Sequence, residues 1–349
     1  MNEYRLSADT ARLFKLHKSI SIGDVSVATE QVLDRFNRSE IKNKRIFKKL
    51  YKPVTNNISL ETYIIPVNNG TATGYLYRKP NNTSNLSSLV IYFHEGGWML
   101  GNMDCCKAIC SNICNETGSA VLAIDYRLTP KYKFPVPVED CYSAFLWAEQ
   151  GAKYWKTDNS RIFLMGSCSG ANLAIAVSHL ARDRKGPKIA GLILEDPLAD
   201  CRLRTNSIEV HKNNPILKKS DLVFFIQNYQ REPKDILDPL FSPLLSLDHS
   251  RLPETLIFSS KLSPLYDDAH LYAKALQSAD IPVKLIEEEN KLHGFMKYPD
   301  SERYFDEMAA IKSFLDGKHV VNVELLTKYQ RKKLNRRKPK VLKVEGNSL

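Results

Sequence analysis

Residues 161–176 read Arg161-Ile162-Phe163-Leu164-Met165, then Gly166-Ser167-Cys168-Ser169-Gly170, then Ala171-Asn172-Leu173-Ala174-Ile175-Ala176. The first five form a short β-rich run, the last six are helix-like, and a pentapeptide of small residues joins them. A strand that turns directly into a helix is the repeating unit of a parallel sheet. In such sheets functional groups collect on the loops beyond the carboxyl ends of the strands. Cys168 stands at the apex of this turn. Glycines two residues to either side permit a tight bend, and the helix that follows places its amides and positive dipole end near the sulfur, which favours a thiolate and an oxyanion.

The same alternation extends in both directions. Short β-rich runs fall at Leu89–Phe93, Ala120–Asp125, Ala190–Glu195, Thr255–Ser259 and Val283–Glu287, with helix-like segments at 104–117, 138–151, 170–183, 266–279 and 301–315. Two candidate strands, Leu60–Val67 and Thr73–Arg78, precede them, separated by the turn-forming Asn68-Asn69-Gly70. This order predicts an α/β fold with a mostly parallel central sheet flanked by helices. Residues 200–250 hold no convincing strand and read as a helical insertion. The first 55 residues read as helical, with apolar positions such as Leu13, Leu16, Val32 and Phe36 and no strand pattern. The predicted organisation is an N-terminal helical segment over 1–55, an α/β domain over 56–316 and a basic tail over 317–349.

Composition bounds the function classes. The chain has 349 residues, 43% hydrophobic and 26% charged, which excludes a disordered or fibrous protein. No apolar run approaches the ~18 residues that cross a bilayer, and the N-terminus is charged from Glu3, so a cytoplasmic protein is expected. Seven scattered cysteines read as reduced thiols. Cys106, Cys110 and Cys114 share a helix face without an accompanying histidine, a pattern of buried thiols; no metal and no cofactor is expected. The formal charge is +11, and the tail carries most of it: nine basic residues and no acid lie between Lys328 and Lys343. That run suits an anionic surface or simple solvation. No aromatic interleaving points to specific nucleic-acid binding.

Three loops after strands carry chemistry. Cys168 occupies the place of serine in the pattern G-x-S-x-G, with the Ser169 amide as one oxyanion donor. His94-Glu95-Gly96-Gly97-Trp98 follows Leu89–Phe93, and paired glycines there can aim amides at an oxyanion. Lys291-Leu292-His293-Gly294-Phe295 follows the last strand and offers His293 as a general base. Each also has a plain structural reading: a cysteine in a Gly/Ser turn, a Gly-Gly turn, an incidental loop histidine.

Together these segments resemble the hormone-sensitive-lipase-like esterases of the α/β-hydrolase superfamily (fold-3 type), over roughly residues 60–315. Asp125-Tyr126-Arg127-Leu128-Thr129-Pro130 and Phe134-Pro135-Val136-Pro137-Val138-Glu139-Asp140 look like that family's DYRLAPE…FPAPxED segment. The resemblance implies an α/β-hydrolase fold with a helical cap, formed by the N-terminal segment and the insertion, and hydrolysis of carboxylic esters of small or medium acyl groups. It places Gly96, Gly97 and Ser169 at the oxyanion hole. The departures fall on the chemistry: the family's serine aligns with Cys168, the acid before it with Ser167, the first glycine of HGGG with Glu95, and the triad aspartate with Ser263. Only His293 is kept from the triad. A Cys–His pair can act without a third member because a thiol ionises readily. The alternative is a catalytically inactive protein that binds a small apolar ligand, for which a plant hormone receptor group on this scaffold is the family's precedent. A migrated acid is the remaining expectation. Glu195-Asp196 ends a central strand, period-two alternation lets only one of the two face His293, and Asp196 is favoured as the last on the strand. The competing reading makes both acids exposed or paired with Arg202 or Arg204.

Overall fold

The computed structural model describes residues 3–6, 33–34, 57–80, 87–101, 103–297, 304–318 and 340–343. Ten strands are found among them: β1 Glu3–Leu6, β2 Ser59–Val67, β3 Gly70–Arg78, β4 Ser87–Phe93, β5 Ala120–Asp125, β6 Thr157–Ser167, β7 Gly191–Glu195, β8 Thr255–Ser260, β9 Val283–Glu288 and β10 Lys340–Lys343. The principal helices are α1 Met103–Thr117, α2 Val136–Gly151, α3 Ser169–Asp183, α4 Asn206–Val210, α5 Lys219–Tyr229, α6 Tyr266–Ser278 and α7 Tyr304–Leu315.

Eight strands make one sheet in the order β2-β3-β5-β4-β6-β7-β8-β9. β2, β3 and β5 are joined antiparallel, and β5, β4, β6, β7, β8 and β9 run parallel. Alternate side chains serve two cores. Leu89, Ile91, Phe93, Leu164, Leu192 and Leu194 pack with α2, α3 and α6; Val90, Tyr92, Phe163, Met165 and Ile193 pack with α1 and α7. Cys106, Cys110 and Cys114 lie in the second core as buried thiols. Burial pushes Cys110 well above its ordinary pKa and Cys114 up to about 12. No helix among the described residues is long and apolar enough to cross a membrane.

Two expectations are corrected. The N-terminal stretch contains a strand: Glu3–Leu6 pairs antiparallel with Lys340–Lys343, so part of the basic tail is a ribbon partner. Four-residue strands give too few alternations for a period to show in the sequence. Residues 33–34 are helical, whereas the rest of the expected N-terminal helices and residues 319–339 and 344–349 of the tail lie outside the described residues. The β2–β3 turn is also tighter than expected, for Gly70 is already paired with Val67 and only Asn68 and Asn69 form the loop. Asn69 takes the left-handed φ of 54° that such a turn demands. Between β7 and β8 the insertion holds α4, α5 and two short 3-10 turns at Pro233–Leu237 and Pro243–Leu245.

Candidate active site

Cys168 joins β6 to α3 with φ 52° and ψ −115°, a strained conformation for a residue that is not glycine. The neighbouring glycines make it feasible by close approach. A Cβ on Gly170 would stand 2.1 Å from the Phe93 carbonyl oxygen, and one on Gly166 would stand 2.3 Å from the Gly170 carbonyl. α3 is thereby drawn against the sheet with Cys168 at its N-terminal end. The Cys168 amide donates to the Glu195 carbonyl on the adjacent strand (2.9 Å).

His293, on the loop after β9, interacts electrostatically with Cys168 on one side. Its Nδ1 lies 3.0 Å from Ser263 Oγ and 3.2 Å from Asp196 Oδ2. The Asp196 contact has ion-pair distance but not hydrogen-bond alignment, since Oδ2 has no aligned donor among the described residues. Asp196 Oδ1 accepts from the Ser260 amide at 2.8 Å, which fixes the carboxylate. Ser263 Oγ also accepts from the Leu265 amide (3.1 Å). Burial opposes charge on His293, but Cys168 and Asp196 outweigh it and hold the imidazole well above its ordinary pKa.

Glu195 and Asp196 are both buried, and Arg202 pairs with Asp200 instead, 2.7 Å away. Asp196 reaches His293 by a route that alternation does not describe. β7 ends at Glu195, and Asp196 turns out of it with φ 42°. Glu195 lies under the elbow, accepting from Ser167 Oγ through one oxygen and from the Met296 amide (2.8 Å) through the other. It therefore ties the residue before Cys168 to the loop carrying His293. Burial, with the Asp196 and Glu95 charges, raises its pKa to about 7.

The oxyanion loop differs from expectation at one donor. Gly96 and Gly97 take φ values of 116° and 62°. The Gly97 amide is not open: it donates to Ser169 Oγ at 2.9 Å, and the Trp98 amide approaches the same oxygen at 3.4 Å. The reason is chemical. A hydroxyl at the first position of α3 offers an acceptor where the glycine loop presents its N–H groups. Phe225 of α5 covers the loop, its ring 2.2 Å from where a Gly97 Cβ would lie. Trp98 stacks on Tyr229 of the same helix (4.1 Å between centroids), with Phe134 and Phe241 completing the aromatic cluster.

The motif residues of 125–140 serve as struts. Arg127 forms a bidentate pair with buried Asp140 (2.8 and 2.6 Å) and donates to the Asn68 carbonyl at 2.8 Å, joining the β5 loop to α2 and the hairpin. Tyr126 Oη donates to the His94 carbonyl at 2.8 Å. Phe225 and the Ser169 hydroxyl escape a reading of the sequence: the first arrives from a distant insertion, and the second is visible only as a hydroxyl one residue past the thiol. Among the described residues no group of three or more His, Cys, Asp and Glu side chains could hold a metal ion.

Residues 90–297 match the family described as alpha/beta hydrolase fold. An arylesterase of Saccharolobus solfataricus is 32% identical over 247 residues, covering 70% of this chain and 78% of its own length. An ethyl acetate hydrolase of Pseudomonas putida is 31% identical over 226 residues, 64% of this chain and 70% of its own. Among solved structures, a hyperthermophilic esterase from the archaeon Pyrobaculum calidifontis superimposes with a TM-score of 0.80 at 26% identity, covering 91% of this chain and 100% of that one.

Proposed function

The chain belongs to the α/β-hydrolase fold family, in its hormone-sensitive-lipase-like branch of carboxylic-ester hydrolases, and on that footing we propose that Cys168 is the nucleophile and His293 its base, acting on esters of small or medium acyl groups. The observation that carries this reading is the contact sequence Cys168–His293–Asp196, with the sulfur at the N-terminus of α3. Asp196 stands in for the triad acid, holding the Nδ1 side of the ring so that the other nitrogen serves the sulfur. Ser263, in the family's acid position, supplies a neutral contact to the same nitrogen.

The Cys168 thiolate adds to the ester carbonyl carbon, forming a C–S bond and placing the electron pair on oxygen. The tetrahedral species collapses with cleavage of the C–O bond, and the departing alkoxide takes the proton from imidazolium His293. Neutral His293 then removes a proton from water as the hydroxide adds to the thioester. Cleavage of the C–S bond releases the carboxylic acid and restores the thiolate–imidazolium pair. Phe225 above Gly97 limits the space beside the loop, which suits short acyl groups.

A second reading, retention of an apolar ligand without turnover, is favoured by the Ser169 hydroxyl lying on the Gly97 amide. One experiment separates them. The protein is incubated with p-nitrophenyl acetate and the peptide bearing Cys168 is followed by mass spectrometry. A transient acetyl adduct on Cys168, lost in Cys168→Ala and greatly slowed in His293→Ala, supports the hydrolase. No adduct under any condition leaves the binding reading.

A further inference from the structure

The hydroxyl of Ser169 is fully buried. Its oxygen accepts from the Gly97 amide at 2.9 Å, with the Trp98 amide at 3.4 Å. Tyr126 stands beside Ser169, and its own hydroxyl proton is committed to the His94 carbonyl at 2.8 Å. The serine oxygen therefore takes two incoming N–H groups, the hydrogen bonds that a substrate's carbonyl oxygen would accept there. It belongs to Ser169, the first residue of α3, directly after Cys168.

We propose that the Ser169 hydroxyl is the resident occupant of the oxyanion hole and sets which esters the site accepts. The inference rests on Cys168 as nucleophile and deepens that reading. A substrate oxygen reaches the Gly97 amide only after the Ser169 side chain rotates away, giving up its bonds from the Gly97 and Trp98 amides. Reaction therefore carries the loss of these hydrogen bonds in addition to its own barrier. Esters with good leaving groups need little oxyanion stabilisation and are least affected. Alkyl esters depend on it more and are selected against. The resting enzyme is thereby biased toward aryl and other activated acyl donors.

Ser169→Ala removes the occupant and leaves the Gly97 amide free. Tyr126→Phe removes the neighbouring hydroxyl without altering α3. Acylation of Cys168 is measured with p-nitrophenyl acetate and ethyl acetate, alkylation of Cys168 with iodoacetamide, and hydrogen exchange of the Gly97 amide by NMR on glycine-labelled protein. In Ser169→Ala, acylation by the alkyl ester should rise roughly tenfold, as expected for releasing a neutral hydrogen bond or two, and by the aryl ester less. Alkylation, which forms no oxyanion, should stay within about twofold, and Gly97 exchange should quicken. Tyr126→Phe should move the same quantities in the same direction by a smaller factor. Unchanged Gly97 exchange, or a fall in acylation with the aryl-to-alkyl ratio constant, overturns the proposal and makes Ser169 a strut of the loop. Absence of acylation in every variant overturns the nucleophile assignment instead; Gly97 exchange then decides occupancy alone.

Discussion

Asp196 bears on the chemistry through its position against His293, and its effect has a definite sign. Because the neighbouring carboxylate helps raise the imidazole pKa, acylation that needs protonated His293 should persist well above pH 6.5 and decline only as the pH rises through the elevated value. The stabilisation contributed by that proton is complete below ~6.5 and lost over the same rise. Asp196→Asn should slow acylation by roughly 10- to 100-fold, less than the ~10⁴ seen in a serine template because a thiol depends less on its base. It should also shift the alkaline limb to lower pH, which a pH–rate profile would register; a limb that stays in place would show that Asp196 does not set the ring's charge. Glu195 has a linkage of the same sign. Its carboxyl pKa is raised from 4.5 to about 7 by burial first and by Asp196 next, so its ionisation costs stability from pH ~4.5 upward and the full penalty, about 3 kcal/mol, is reached above 7. Glu195→Gln can still accept from the Met296 amide and donate to Ser167 Oγ. Thermal melts should find the variant more stable than the parent at pH 8 and the difference vanishing toward pH 4.5.

The oxyanion loop, α5 and the loop after β5 behave as one braced unit. Arg127→Ala would leave Asp140 buried and unpaired, and a loss of about 3–5 kcal/mol is expected from denaturant unfolding. Phe225→Ala should open the space over Gly97, raising the rate on hexanoyl relative to acetyl esters while lowering stability. An unaltered chain-length preference would mean that acyl groups lie elsewhere. These braces also mark how far a sequence can be read. The elements of the central sheet were legible because each strand is a continuous apolar run bounded by turn residues, and the elbow because its glycines sit at the spacing a close helix–strand approach requires. His293 and Cys168 were legible from their place after strands. Asp196 was legible only as a candidate, for its φ of 42° lies beyond the last residue whose facing alternation can assign. The docking of Phe225 on Gly97, and of Ser169 Oγ on the Gly97 amide, joins residues 128 and 72 positions apart and leaves no local period. The four-residue β1 and β10 were missed because they carry too little pattern.

At the scale of the molecule, the eight-stranded sheet and the β1–β10 ribbon share no strand pairing among the described residues, so their stabilities are separable. Among the described residues, the buried clusters that hold the sheet run through Leu315. Truncation after Lys318 should therefore leave the cooperative unfolding of the hydrolase domain, followed by circular dichroism, within about 3 °C of the full chain, well under the shift of a core substitution. A loss of several times that amount would show that the ribbon braces the domain. The same truncation separates the electrostatics. Residues 319–349 hold nine of the basic residues and two acids, Glu324 and Glu345, so their removal takes seven positive charges from +11 and leaves +4. A charge so concentrated is attracted to anionic surfaces through a potential that salt screens beyond ~10 Å at 0.1 M. The full chain should sediment with vesicles containing phosphatidylserine at low ionic strength and release from them as salt rises, whereas the truncated chain should stay in the supernatant throughout. Equal binding by both would place the attraction on the domain, and binding by neither would make the tail's charge a matter of solvation alone.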